Sequence, residues 1–189
     1  MPEKTRDHLR RLDQSHYCGF AIVHWTHTID QRKTGWLNTE FHTLFREALI
    51  HAGCLHGLWC PAYCLMPDHI HLVWSGVDTS SDQLAATAWL RRRLNGWLKP
   101  GGQRLQRQAF DRVLRESDRD RFAFEKLIAY LFANPIRGGF ITEESPRSGW
   151  TWRDSILPGY PEVSWQRTNQ EDYWDLYWKL YYRALERQT

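Results

Sequence analysis

Two spacings of hydrophobic residues alternate along this chain, and each change of spacing marks an element. From Tyr17 to Thr28 (YCGFAIVHWTHT) aromatic and β-branched residues dominate, the signature of a strand, and a turn-like DQRKTG follows. Over residues 39–52 the period lengthens. Phe41, Leu44, Phe45, Ala48, Leu49 and Ala52 recur on one face, which predicts an amphipathic helix capped by Asn38 or Thr39 and closed by Gly53. Leu58 to Leu65 and Ile70 to Ser75 read as two strands joined by MPDH, where Pro67 suits a turn and not a ladder position. Ser81 opens a helix that carries Leu90, Leu94, Trp97 and Leu98 on one side and ends at Pro100-Gly101-Gly102. QAFDRVLR (108–115) reads as a fourth strand with Phe110 and Leu114 on one face. A third helix runs from Arg121 to Ala133 and stops at Asn134-Pro135 and Gly138-Gly139.

The resulting order is β-α-β-β-α-β-α. Its first six elements have the ferredoxin-like order, so the expected fold is α+β: an antiparallel sheet with helices on one face, plus an additional helix. Residues 1–16 form a polar N-terminal arm, 17–160 the main domain, and 161–189 an aromatic-rich C-terminal extension, expected to be helical. Tyr173, Trp174, Tyr177, Trp178, Tyr181 and Tyr182 crowd that extension. Two readings fit them: a helix docked on the body to complete its core, or a platform on which unpaired bases stack.

Composition narrows the class only slightly. With 42% hydrophobic and 25% charged residues, the 189-residue chain is ordinary for a folded domain. Its net charge of +3 permits a nucleic-acid partner without requiring one. The local distribution says more. Between Leu84 and Arg121, ten Arg or Lys face four acids, a local charge of +6. Nine of those ten are arginine, whose planar fork pairs with phosphate at two points. No apolar stretch of the signal-peptide kind opens the sequence, and no run of about 18 apolar residues occurs, so no membrane partner is expected. Cys18, Cys54, Cys60 and Cys64 lack the spacing of a zinc framework and read as reduced, cytosolic core thiols.

Two constellations carry candidate chemistry. His69-Ile70-His71 sits on a predicted strand, where residues two apart share a face, so both imidazoles can reach one ion. A chain with nine histidines produces about 0.4 such pairs by chance, so two half-buried histidines on a strand face fit equally well. His24 and His27, three apart on a strand, face opposite ways and receive no site role. The second constellation is Tyr130 and Asn134, four apart at a helix end. Tyr130 lies about 200° around the axis from Ile128, away from the apolar stripe of Phe124, Leu127, Ile128 and Leu131. A surface tyrosine and a helix-ending asparagine would look the same. Lys126 lies one turn before Tyr130, and Arg91, Arg92 and Arg93 run along the second helix, as either a solvated face or a DNA contact.

Three stretches together resemble one family. AYCLMPDHIHLVW (62–74) is similar to the metal-binding histidine–hydrophobic–histidine strand of the single-tyrosine HUH transposases, especially the REP-associated tyrosine transposases. FDRVLRE (110–116) is similar to the strand before their tyrosine helix. AYLFANPIRGGF (129–140) resembles their tyrosine followed by Asn-Pro and a basic–small–Gly ending. The resemblance implies a metal-dependent endonuclease and strand transferase acting on single-stranded DNA at hairpins, in the bacterial cytosol or nucleoid, as monomer or homodimer. Tyr130 would be the nucleophile, forming a 5′-phosphotyrosine link. His69 and His71, with Asn134 as third group, would hold Mg²⁺ or Mn²⁺. Lys126, Arg91, Arg92, Arg93 and Arg137 would contact DNA phosphates. The alternatives are a non-catalytic DNA-binding descendant of the fold, and a metal hydrolase using an acid such as Asp68. In the first strand, Gly19-Phe20-Ala21 stands where the REP-associated subgroup has a Gly-Thr-Trp-like motif. That departure bears on recognition of a REP-type tetranucleotide guide and not on the cleavage site.

Overall fold

The computed structural model describes residues 11–114, 120–142 and 149–187. Five strands and five helices follow in chain order: β1 (Ile22–Thr28), α1 (Thr39–His56), β2 (Leu58–Met66), β3 (His69–Gly76), α2 (Gln83–Leu98), β4 (Phe110–Val113), α3 (Arg121–Phe132), α4 (Asn134–Arg137), β5 (Arg153–Ile156) and α5 (Gln170–Glu186). The sheet order is β4-β1-β3-β2-β5 and every pairing is antiparallel. The first four strands give the ferredoxin-like arrangement expected from the sequence, and β5 extends it beyond β2.

Local chemistry explains where the first helices begin and end. The Asn38 side chain accepts the Phe41 N–H at 2.8 Å, and Asp82 does the same for Ala85 at 2.9 Å. Helix α1 does not stop at Gly53. It continues to His56 and closes on Gly57, whose φ of 61° is the left-handed conformation that glycine takes without strain. Gly53 instead permits close packing, since a Cβ there would lie 2.6 Å from the Leu58 carbonyl oxygen.

Alternation along the strands divides the core in two. Val23, Trp25, Ile70, Leu72 and Trp74 point to one face, where Phe45 and Leu49 of α1 and Leu90 and Leu94 of α2 cover them. Ile22, Ala62, Cys64, Met66 and Val73 point to the other. There they meet Phe124, Ile128 and Leu131 of α3 and the aromatic row of α5. The additional helix thus lies across the sheet from the first two. Helix α5 completes this second core: Tyr173, Trp174, Tyr177, Trp178 and Tyr181 are all buried, and Tyr182 alone of the six is exposed. Their polar ends are satisfied. Tyr173 donates to the Pro61 carbonyl at 2.8 Å, Trp178 donates to Glu125 at 2.9 Å, and the Tyr177 hydroxyl pairs with Ser75 at 2.9 Å. Of the four cysteines, Cys60 and Cys64 are core residues, Cys18 is half-buried and Cys54 is exposed.

Candidate functional site

Burial along β3 locates the site. Every residue from Leu72 to Gly76 is buried, whereas His69 and His71 are only half-buried. The row of α5 covers the Ser75 end of this face and α3 covers β2, leaving the histidine end open. The two imidazoles converge there, with Nε2 of His69 3.0 Å from Nε2 of His71.

What lies behind His69 fixes its proton. His69 Nδ1 is 2.6 Å from Asp68 Oδ1, so it is the protonated nitrogen and donates to the carboxylate. Asp68 Oδ2 in turn accepts from Arg32 at 2.9 Å. Burial raises the Asp68 carboxyl, but the bonds from Arg32 and His69 prevail and hold it below its ordinary value. Arg32 reaches this position from a tight turn in which Gln31 and Arg32 have φ of 56° and 55°, a strained region for residues with a Cβ. His71 Nδ1 faces Thr26 Oγ1 at 3.1 Å and His24 Nε2 at 3.1 Å. Burial, with Arg112 nearby, pushes His24 down to about 4. Burial, with His24 and His69 nearby, pushes His71 down to about 3. His24 and His71 are therefore neutral at pH 7, and the neutral form is the one in which an imidazole binds a metal.

When His71 also carries its proton on Nδ1, two lone pairs face each other across 3.0 Å and a cation can bridge them; with a proton on either Nε2 the same distance is an N–H···N hydrogen bond. Two nitrogen ligands about 2.1 Å from one ion at a right angle lie about 3.0 Å apart, so the pair fits a divalent cation. No cluster of three or more His, Cys, Asp or Glu side chains is arranged to hold an ion among the described residues. Further ligands would have to be amide, water or phosphate oxygens. Asn134 opens α4, and its Nδ2 donates to the Leu131 carbonyl at 3.0 Å, leaving Oδ1 as the atom a cation would take.

Helix α3 is laid on the face that carries the histidines, through Phe124, Ile128, Leu131 and Phe132. Its C-terminal end is held by Arg153, a buried arginine of β5 that donates to the Phe132 carbonyl. Tyr130 is 50% exposed, and the Arg137 guanidinium lies 4.3 Å from its ring centroid. Among the described residues no hydrogen bond joins Tyr130 or Asn134 to His69 or His71. Lys126 is exposed on the same ridge as Tyr130.

The arginine run separates. Arg91, expected to contact phosphate, has a different task. It donates to the carbonyls of Gln106 and Arg107 and, at 3.3 Å, to His27 Nδ1, fastening the segment that leads into β4. Arg92 and Arg93 are exposed, but α2 lies on the face opposite the histidines, and Arg93 rests 5.2 Å over the Trp89 ring. Arg115 and Arg119 of the basic segment, with Glu116 and Asp118, fall outside the described residues.

His24 was assigned no role from sequence, yet it stands directly behind His71. His24 and His27 do face opposite ways, as expected, but cross-strand register decides which one meets the site. The row Phe110–Thr26–His71–Cys64 across β4, β1, β3 and β2 is set by that same register.

The chain is similar in fold to a REP-associated tyrosine transposase. The structure concerned is of that transposase bound to a REP hairpin, and it matches with a TM-score of 0.60 over 78% of this chain and 81% of the other, at 17% sequence identity. At that identity the likeness establishes a shared fold. No protein-family model matches the chain, and no curated protein does. No helix among the described residues is long and apolar enough to cross a membrane.

Proposed function

We propose that this chain is a metal-dependent, single-tyrosine DNA transposase that nicks and rejoins single-stranded DNA at hairpins. The observation that carries the reading is the pair of histidine Nε2 atoms 3.0 Å apart at an open end of the sheet face on which a helix bearing an exposed tyrosine also lies. The shared fold with a transposase bound to a DNA hairpin supports it.

In this reading Tyr130 Oη attacks the phosphorus, and the bond from phosphorus to the 3′ oxygen breaks. The phenolic proton passes to solvent on the open face, and the departing oxygen takes a proton to become a 3′-OH. The product is a 5′-phosphotyrosyl link that preserves the phosphodiester's energy for rejoining. His69 and His71 would hold Mg²⁺ or Mn²⁺, with Asn134 Oδ1 as a third group. When bound, such an ion neutralises the charge on the nonbridging oxygens. Asp68, Thr26 and His24 fix the two ring tautomers so that both Nε2 atoms remain acceptors. Lys126 lies on the ridge of Tyr130 and Arg137 of α4 sits over the Tyr130 ring, where each can pair with a phosphate.

A labelled single-stranded hairpin incubated with the protein and Mg²⁺ or Mn²⁺ should give a denaturation-resistant adduct, absent in Tyr130→Phe. Nicking by the Phe variant would show that another nucleophile acts. Cutting without any adduct would identify a water-using hydrolase instead.

A further inference from the structure

The buried side of α3 and its outer side differ sharply in chemistry. Phe124, Ile128, Leu131 and Phe132 face the core. On the outside, Phe122, Lys126 and Tyr130 follow one another at four-residue intervals, a single ridge of the helix. Phe122 is 72% exposed, more than any other large apolar residue among those described. Among the described residues no aromatic ring packs against it. A cation lies over its ring instead, with Lys126 Nζ 5.7 Å from the centroid. At the other end the Arg137 guanidinium sits 4.3 Å over the Tyr130 ring. The nearby carboxylate of Glu125 is turned aside, bonded to Arg121 at 2.8 Å and to Trp178 at 2.9 Å. The ridge, with Arg137 of α4 at its end, therefore reads aromatic, cation, aromatic, cation, and the adjacent Glu125 carboxylate is engaged elsewhere.

We propose that this ridge is a track for single-stranded DNA, in which Phe122 stacks on an unpaired base about 12 Å from Tyr130 and Lys126 holds the phosphate between them. The inference rests on the function proposed above and adds the positioning of the strand to it. The occupant is a single strand because stacking needs the open face of a base, which a duplex hides between its neighbours. It is a nucleic acid because the cations alternate with the rings, which matches a chain of alternating phosphates and bases and not an apolar partner helix. Phe122 acts by fixing the register of the strand and makes no contact with the reacting atoms.

The test uses the full chain carrying Tyr130→Phe, in chelator, so that neither cleavage nor metal enters. The probe is a fluorescein-labelled strand of about a dozen nucleotides. Adding Phe122→Ala or Phe122→Leu should weaken binding about tenfold, whereas Phe122→Tyr or Phe122→Trp should restore it, since only rings stack. A 2-aminopurine walked along the strand should be quenched at one position, and Phe122→Ala should abolish that quenching. The slope of log affinity against log salt should not change with Phe122→Ala, but Lys126→Ala should flatten it by about 0.7. Unchanged affinity in Phe122→Ala and Phe122→Leu overturns the track while leaving the proposed function standing. So does a loss of self-association without a loss of binding, which would make Phe122 an interface between copies. A parent protein that fails to bind the strand at all overturns the proposed function itself.

Discussion

The two faces of the sheet use the same strands for different ends. On the α1/α2 side the strand positions are covered, and the one histidine that a described strand turns to this side, His27, is buried beside Trp25 and Arg91. On the α3/α5 side the cover is incomplete, and the gap falls over His69 and His71. The closed face tolerates a buried imidazole only as a neutral packing element. The open face surrounds its imidazoles with Asp68, Thr26 and His24, each aimed at an Nδ1 or bonded behind one. The candidate site on this fold thus lies where the helices leave the sheet open, and what stands behind the exposed rings sets the chemistry open to them.

The sharpest way to separate the faces is to remove a side chain from each. His69→Ala or His71→Ala should eliminate metal-dependent cleavage while leaving the melting temperature nearly unchanged, because neither ring belongs to the core. Trp74→Ala, from the closed face of the same strand, should destabilise the fold by about 3–5 kcal/mol through the cavity it leaves. Parallel melts and single-turnover assays check both. Destabilisation by the histidine variants equal to that of Trp74→Ala would erase the distinction between the faces.

A smaller effect is expected behind the two histidines. Asp68→Ala removes the acceptor that keeps the His69 proton on Nδ1, and should weaken Mn²⁺ binding by about 10–100-fold. Titration followed by the electron-spin signal of free Mn²⁺ reads this without any reaction. Arg32→Ala should act in the same direction and less strongly, since the Asp68–His69 bond survives it. Equal Mn²⁺ affinity in Asp68→Ala and the parent would mean that the carboxylate does not position the ring.

How much of this could be read from the chain depends on whether a feature is local. The His-x-His pair and the placement of Tyr130 off the apolar stripe are fixed by the period of one strand and one helix, and both constellations were legible. His24 was not, because its meeting with His71 depends on the register of β1 against β3, residues 47 apart in sequence. Strand β5 was missed for a different reason. Its sequence is Arg-Asp-Ser-Ile, and all four residues are buried, so no hydrophobic pattern announces it. Its polar groups are satisfied only in three dimensions, Asp154 by Arg46 at 2.8 Å and by Ser164 at 2.8 Å, and Arg153 by Phe132. The arginine run shows the same limit. Sequence places Arg91, Arg92 and Arg93 on one helix, but only the fold shows that the first is spent on backbone carbonyls.

Acid should expose the closed face next. Burial, then Arg91 and Arg11, pushes His27 down to about 3, whereas in an unfolded chain it titrates near 6.5. The unfolded state thus binds a proton that the folded state refuses between about pH 6.5 and pH 3. The stability due to neutral His27 is complete above about pH 6.5 and falls as pH drops through that window, by at most about 1.4 kcal/mol per pH unit. Arg91 donates to Nδ1, which leaves the proton on Nε2, a buried atom with no partner among the described residues. Replacing the ring with an apolar one removes that cost as well. His27→Phe should flatten the fall in melting temperature between pH 6.5 and 4, and an unaltered pH profile would show that His27 is not the group responsible.

The smallest effect is expected from the exposed cations of the closed side. Arg92 and Arg93 project from α2, across the sheet from His69 and His71. If DNA reaches them, it does so with a segment remote from the scissile phosphate. Each phosphate contact to a single strand contributes about 0.7 to the slope of log affinity against log salt. Arg92→Ala should flatten that slope by one such step or by none, and should weaken all sequences alike, since a guanidinium on phosphate reads no base. Arg93 should do less, because its guanidinium already rests over Trp89. Neither should alter the rate of adduct formation once DNA is saturating, whereas Lys126→Ala, on the ridge of Tyr130, should slow that rate more than it weakens binding. Slopes from a salt series and single-turnover rates at saturation separate the two groups. A slower saturated rate in Arg92→Ala would mean that the closed face takes part in the reaction after all, and the division between the faces would have to be redrawn.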